Sequence, residues 1–404
     1  MEDEETGEKL PGASIYIPGI EKGTITNNYG FFSITVTGSI SELIVSYSGY
    51  KLYHNNTGFD TDMQLTVKLK SNRELEEIIV AATKNVPIQE QSQMSKVNVP
   101  VSIIKNMPRF FGEADVLKTL QLLPGISQGT EGTSGILVRG GTPDQNLMLL
   151  DGTPVYNASH LFGIFSTFNT SALKNVDVYK GGFPARFGSR LSSVVDIVTK
   201  DGNMKQIHGE ANIGLLAASF TLEGPLKKDK TSFLISGRRT YLDLIAEPLL
   251  KSQEKEVKKF AAYFYDINLK LHHILSSKDR LFFSFYQGGD VLKFRNLYIG
   301  TEYFQDDKIE GGWGNIISAV RWNHVFSKKL FANTLINFTR YKLLSDLAIT
   351  SGKNGATDMS AIKYFSSIYD VGSRIDFDYR PRPEHSVKFG ASALQHFLLP
   401  EYFL

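Results

Sequence analysis

The sequence predicts a mainly β chain: an N-terminal β-sandwich, a small α/β domain, and the first part of a large antiparallel transmembrane β-barrel. Three observations carry this. Long segments of the C-terminal half alternate apolar and polar residues with period two. Aromatic residues make up 12% of the 404, with 27 Phe and 18 Tyr beside 35 Gly, a usage typical of strands and their turns. The connections between the alternating segments are short and long in turn, as between the two ends of a membrane barrel.

Composition narrows the function. A net charge of +2 without a basic run gives no nucleic-acid footprint. The absence of cysteine excludes disulfides, thiolate zinc and iron–sulfur ligation. No uninterrupted apolar stretch approaches the roughly 20 residues of a membrane helix, which leaves a barrel open. The start, Met1-Glu2-Asp3-Glu4-Glu5, is acidic and has no apolar signal region. Either the protein is cytosolic or the recorded start is not that of the secreted precursor.

Residues 1–70 read as the sandwich, with strands at Ala13–Ile17, Gly30–Val36, Glu42–Tyr47 and Gln64–Leu69 separated by Pro11-Gly12, Asn27-Asn28 and Gly49. Ile15, Ile17, Phe32, Ile34 and Val36 fall on alternating positions. Glu5-Thr6-Gly7-Glu8 reads as a turn with no strand before it, so a first strand is expected to be missing. Residues 71–96 read as a linker: polar Ser71–Glu77, apolar Ile78–Ala82, then polar Thr83–Lys96. Residues 97–203 have mixed α/β texture. Val116, Leu117, Leu120 and Leu123 lie at helical spacing, closed by Pro124-Gly125. Short strands are expected at Gly135–Val138, Leu147–Leu150, Val176–Tyr179 and Val194–Thr199.

Residues 204–404 carry the long alternations. Tyr263, Tyr265, Ile267, Leu269 and Leu271 take one face, and Asp266, Asn268, Lys270 and His272 the other. Tyr369, Val371, Ser373, Ile375, Phe377 and Tyr379 oppose Asp370, Gly372, Arg374, Asp376 and Asp378. Apolar faces ending in aromatics, with charges opposite, fit a lipid-out, water-in wall. Short turns are expected at Lys227–Lys230, Ser276–Asp279, Ser327–Lys329 and Pro381–Glu384. Long loops are expected at Asp243–Phe260, Asp290–Glu310 and Asp346–Ile362. About nine strands are legible without a closing one, so the barrel reads as truncated.

Four blocks then carry a resemblance. Ile136-Leu137-Val138-Arg139-Gly140-Gly141, Asn146–Val155 with Asp151-Gly152, Leu173–Gly188, and Ser192–Lys200 resemble, in this order, the plug domain of TonB-dependent outer-membrane receptors. Thr6–Ser14 and Gly23–Phe32 resemble the carboxypeptidase regulatory-like domain that receptors of the Bacteroidetes type carry ahead of the plug. Glu76, Glu77, Ile78, Ile79, Val80 and Ala81 resemble their TonB box. The resemblance implies a receptor in the bacterial outer membrane that binds a scarce solute and imports it by energy-coupled plug movement. Its implied partners are TonB, outer-membrane lipid, an extracellular solute (siderophore, oligosaccharide or peptide) and, as an open option, a surface lipoprotein. No cofactor is implied.

Physically, a β-prone segment on a tether can add to a partner's sheet edge; the competing reading of Ile78–Val80 is a last sandwich strand or plain linker. Arg139 in its Gly-Gly turn is a candidate anchor to wall carboxylates such as Asp376 or Asp378; a solvated turn arginine is the alternative. Arg186 and Arg190, flanking Phe187-Gly188-Ser189, are candidates of the same kind, beside the reading of a structured loop. Tyr298, Tyr303, Phe304 and Trp313 could stack on a sugar or an aromatic chelator, or serve as girdle and packing residues. His272-His273 lack metal spacing, and there is no phosphate loop, nucleophile elbow or distinct carboxylate dyad, so no enzyme is expected. A secreted adhesin or carbohydrate-binding protein without transport is the alternative; a hydrolase would need a constellation that is not visible.

Overall fold

The computed structural model describes residues 1–36, 42–56, 64–72, 95–108, 112–129, 135–353, 356–382 and 385–403. In the N-terminal unit, Ser14–Ile17 lies between Lys22–Ile25 and Leu43–Ser46, and Tyr53–Asn55 extends that sheet. Alternation drives one face of it inward, and Ile15, Ile17, Leu43 and Val45 meet Leu10, Val67 and Leu69 in a single core. A strand does precede the first turn, contrary to expectation. Glu2–Asp3 pairs in parallel with Lys68–Leu69, and Glu2 N–H donates to the Val67 carbonyl at 3.0 Å. The strand expected over Gly30–Val36 makes no ladder among the described residues. Phe32, Ile34 and Val36 still pack on the core, but the Ser33 carbonyl accepts from Arg380 Nη1 (3.0 Å) instead of a neighbouring strand.

The central unit is a five-stranded sheet in the order Thr153–Pro154, Asn146–Leu150, Ser193–Thr199, Leu173–Tyr179, Lys96–Val99. Asn146–Leu150 runs parallel to Ser193–Thr199, and the other pairs are antiparallel. Lys96, read as the end of the linker, therefore opens an edge strand. Asp115 caps the helix Val116–Leu120 by accepting the Lys118 N–H at 2.9 Å. Val116, Leu117 and Leu120 pack with Ile104, Val176, Val178, Val195 and Ile197, and Tyr286 and Ile317 of the large sheet close the same core.

That large sheet has nine strands in sequence order, each antiparallel to the next: His208–Ile213, Ala217–Lys227, Thr231–Thr240, Val257–Ile274, Asp279–Ile299, Tyr303–Ser327, Leu330–Lys353, Ala356–Arg382 and His385–Phe403. The stretches 290–310 and 346–362 are not loops: the ladders run on through Ile299–Phe304 and Lys353–Ala356 as long hairpins. In 290–310 the charges pair across strands, as Arg295 does with Asp306 (2.7 Å) and Lys293 with Glu310 (3.5 Å), which supports the ladder. The stretch 243–260 holds the helix Leu242–Gln253 and the start of the next strand.

The two faces of this sheet differ in kind. Asp266, Asn268, Lys270 and His272 are buried against the central unit, while Ile267 and Leu271 on the opposite face are each 42% exposed. The same holds at Asp370 (0%) and Val371 (48%). No helix among the described residues is long and apolar enough to cross a membrane. The N-terminal unit docks at the short-turn end of the sheet. Asn27 Nδ2 donates to Asp378 Oδ2 (2.7 Å), and Tyr29 and Phe31 stack on Phe331.

Candidate functional site

The central unit is joined to the large sheet by buried polar contacts at three levels. Nearest the short turns is Lys270. The strand's alternation sends it inward, and its Nζ donates to Asp151 Oδ1 (3.0 Å), the Thr199 carbonyl (2.9 Å) and Thr199 Oγ1 (3.0 Å). Asp201 lies 3.3 Å away and is also paired with Lys174. Burial pushes the Asp201 carboxyl up, but Lys174 and Lys270 outweigh it and hold it well below the usual range. Asp151 sits at φ +49°, where its own carbonyl accepts from Arg321 Nη2. Gly152 follows at φ +78°, and a Cβ there would stand 2.9 Å from Arg374 Nη2. Only a glycine admits the two wall arginines this close to the backbone.

The middle level is His160, buried on the central unit and stacked on Phe264 with ring centroids 4.3 Å apart. Its Nδ1 lies 2.7 Å from Asp290 Oδ2 and its Nε2 2.8 Å from Asp266 Oδ1. A neutral imidazole has one N–H, so two carboxylate partners call for the cation. Burial alone would lower the pKa; Asp266 and then Asp290 reverse this and raise it from 6.5 to about 8. Arg238 donates to Asp266 and to the Ser166 carbonyl, and Tyr286 donates to Asp266. The group therefore holds two cations and two carboxylates.

The uppermost level is the rim beside the long hairpins. Tyr156 Oη donates to Asp370 Oδ2 (2.7 Å), and Asn315 Nδ2 donates to the Asn157 carbonyl (2.7 Å). Leu161 and Phe162 both have positive φ, +47° and +57°, a strained pair for residues of this size. The Leu161 N–H donates to Asp290 Oδ1 (2.7 Å), and the turn lifts Phe162 to 73% exposure, 4.7 Å from the Trp313 ring. A half-open aromatic pair on a held, strained turn can grip a planar or apolar part of a ligand.

Several residues singled out from sequence fall elsewhere. Glu76, Glu77, Ile78, Ile79, Val80 and Ala81 lie outside the described residues. Arg139 stands exposed at φ +48° and makes no ion pair with Asp376 or Asp378 among the described residues. Those carboxylates turn to Arg374 (3.2 Å) and to Asn27, because Arg139 sits in a turn whose N–H is tied to the Gly125 carbonyl. Gly140 at φ +83° completes that turn, and Gly141 lies against Ser192 and Gln145, closer than a Cβ would allow. Arg186 stacks its guanidinium over Phe187, 4.7 Å from the ring centroid, and its charge is felt by buried Asp196 and, in keeping with the expectation of a wall contact, by Asp376 of the large sheet. Arg190 donates to the Ser189 carbonyl, and Gly188 is in open space. Trp313 lies within Tyr303–Ser327 and faces the rim; Tyr298 and Tyr303 pack together at 6.2 Å near the hairpin tip.

Comparison with known proteins gives two family models. Residues 1–80 match a CarboxypepD_reg-like domain, and residues 94–195 match a TonB-dependent receptor plug domain. TonB-dependent receptor P26 of Formosa agariphila is 28% identical over 208 residues, covering 48% of this chain and 20% of that protein. The ferrienterobactin receptor of Escherichia coli is 28% identical over 141 residues, 30% of this chain and 18% of its own length. The vitamin B12 transporter BtuB of Vibrio vulnificus is 26% identical over 151 residues, 37% and 22% of the two chains. This chain spans about a fifth of the length of the curated relatives it matches. Among solved structures, the siderophore receptor PirA from Acinetobacter baumannii aligns at TM-score 0.42 and 13% identity, over 77% of this chain and 59% of that one.

Proposed function

We propose that this chain is part of a TonB-dependent outer-membrane importer, a reading supported by the match of residues 94–195 to the TonB-dependent receptor plug domain and of residues 1–80 to a CarboxypepD_reg-like domain. In this reading the nine-stranded sheet is part of a transmembrane barrel wall. The single observation that carries it is the inverted sidedness of that sheet: full charges buried against the central unit, large apolar side chains exposed on the other face. In water that arrangement exposes its apolar face at a cost; in lipid it is the stable one.

The long hairpins and the Phe162 rim then face the outside and take up a scarce solute, a siderophore, oligosaccharide or peptide. The names of two relatives, a ferrienterobactin receptor and a vitamin B12 transporter, support the reading of solute uptake. The N-terminal domain, docked at the short-turn end, lies in the periplasm. TonB there captures Glu76–Ala81 by strand addition, and tension moves part of the plug. The work is binding and displacement: the levels at Lys270, His160 and Tyr156 hold the plug against the wall until tension displaces it. A surface lipoprotein over the rim fits the same arrangement.

The test is Ile79→Pro in the protein that contains this chain. Proline removes a backbone donor and blocks strand addition. Surface binding of the solute should persist while energy-dependent uptake stops. Normal uptake would reduce Ile78–Val80 to a linker and favour an adhesin without transport.

A further inference from the structure

We propose that the outward face of the wall carries a binding groove for the phosphorylated headgroup of an outer-leaflet lipid. The inference rests on the reading of this sheet as a membrane wall. The groove, of about 330 Å³, lies across the strands Val257–Ile274, Asp279–Ile299, Tyr303–Ser327 and Leu330–Lys353. The centre of its floor is bare backbone, where Gly289 faces Gly314, and Gly312 beyond it lies opposite Val291 across the ladder. Cross-strand pairing fixes the side of the sheet on which it opens. Gly289 pairs with Tyr265 and Gly314 with Lys342, and Ile316 pairs with Arg340. These positions alternate with Asp290, Asn315 and Tyr341, which turn toward the plug, so the groove opens away from it.

Charge and position indicate the occupant. Arg340 and Lys342 rim the groove, and both are exposed. At its loop-side mouth Lys293 is already paired with Glu310 at 3.5 Å, and farther along Arg295 is paired with Asp306 at 2.7 Å. Arg340 and Lys342 have no carboxylate partner among the described residues; Lys342 Nζ lies over the Phe365 ring, 5.2 Å from its centroid. Toward the short turns the same outward row continues as Phe338 and then Ile336, which is 58% exposed beside Val320 at 43%. Arg340 is two residues from Phe338, about 7 Å along the strand, so the cations stand at the upper margin of the apolar belt. A cation at that depth is near the level of lipid phosphates, and two cations around a glycine floor can make charge-assisted hydrogen bonds to one phosphate. The acyl chains would then lie on Ile316, Phe338 and Ile336. A free phosphate satisfies the cations but leaves that apolar row unused, which favours the lipid.

The experiment uses the whole receptor containing this chain, extracted from outer membranes in mild detergent and also placed in phosphatidylcholine nanodiscs with or without lipid A. Native mass spectrometry counts the retained lipid A, told apart by mass from phosphatidylcholine, in wild type, in Arg340→Gln/Lys342→Gln, and in the charge-preserving Arg340→Lys/Lys342→Arg. Wild type should retain lipid A, the glutamine pair should retain about tenfold less, and the charge-preserving pair should stay near wild type. Equal retention by the glutamine pair overturns the proposal. Displacement of the lipid by inorganic phosphate alone overturns the lipid assignment in favour of an anion site. Heat-modifiable gel migration, read on the same samples, separates the two levels of inference. A membrane-inserted barrel that retains no lipid sinks the groove alone, whereas a wild type that does not insert sinks the membrane reading beneath it.

Discussion

Raising the pH should loosen the plug at His160. Its folded pKa of about 8 lies above the ordinary 6.5, so the stabilisation it supplies is complete below about pH 6.5 and is lost as the pH climbs through 8. The rise corresponds to about 2 kcal/mol, roughly thirtyfold in the local opening equilibrium, for a side chain sealed from solvent. Deprotonation leaves one N–H for two carboxylates, and the remaining cation, Arg238, is bonded to Asp266 and not to Asp290 among the described residues. The Leu161 amide reports the event, because it donates to the same Asp290 carboxylate at 2.7 Å. Hydrogen exchange at Leu161, normalised for intrinsic rate, should lose protection by about thirtyfold between about pH 6 and about pH 9 in wild type. His160→Gln, which stays neutral and can donate from one end, should start at low protection and show no such transition. A wild-type profile as flat as that of the variant would show that the carboxylates do not hold the imidazolium, and the electrostatic account of this level would be wrong.

Two further outcomes follow from the geometry. Lys270→Met keeps the side chain's volume but strands the buried Asp151 carboxylate, and should destabilise the plug by about 3–5 kcal/mol, read as a lower urea midpoint for plug release; an unchanged midpoint would mean water already reaches Asp151. For orientation, a cysteine replacing Thr301 at the hairpin tip should react with an impermeant thiol reagent on intact cells, and one replacing Lys228 at a short turn should not; the opposite pattern would invert the topology.

Most of the wall was legible because its chemistry repeats every two residues, and the run from Tyr263 to His272 declares both faces without help from the rest of the chain. The helix at Val116–Leu120 was legible from its apolar spacing and its Pro-Gly stop. The contacts that matter at the site were not. Lys270 and Asp151 are 119 residues apart, and nothing local in either segment names the other. His160 sits in an irregular stretch where no periodicity applies, and the positive φ of Leu161 and Phe162 goes against their residue types. Arg139 looked like the anchor because it stood in the most recognisable motif, whereas the anchoring cations, Lys270, Arg321 and Arg374, come from the wall and reach inward. Glu2–Asp3 was missed because a two-residue parallel pair has no pattern to read. The hairpins at 290–310 and 346–362 were read as loops, although in the first of them the charges are cross-strand partners, as Lys293–Glu310 and Arg295–Asp306 are.

The edge position of Lys96–Val99 has a mechanical meaning. It is the first described strand after residues 73–94, and it touches its sheet on one side, through four residue pairs with Val176–Tyr179. The Lys96–Asp177 ion pair (2.9 Å) and the Asn98–Asp177 hydrogen bond (2.9 Å) rivet it there. Tension arriving along the tether would load this seam before any other part of the plug. If the pull is directed away from the sheet, the seam unzips one pair at a time, and the peak force is set by its stoutest rivet, not by the sum of them. If the pull runs along the strand, all four pairs are sheared together and the resistance multiplies. The direction of pull, as much as its size, would then decide whether this strand parts first as a fuse or passes the load intact to the latches at His160 and Lys270.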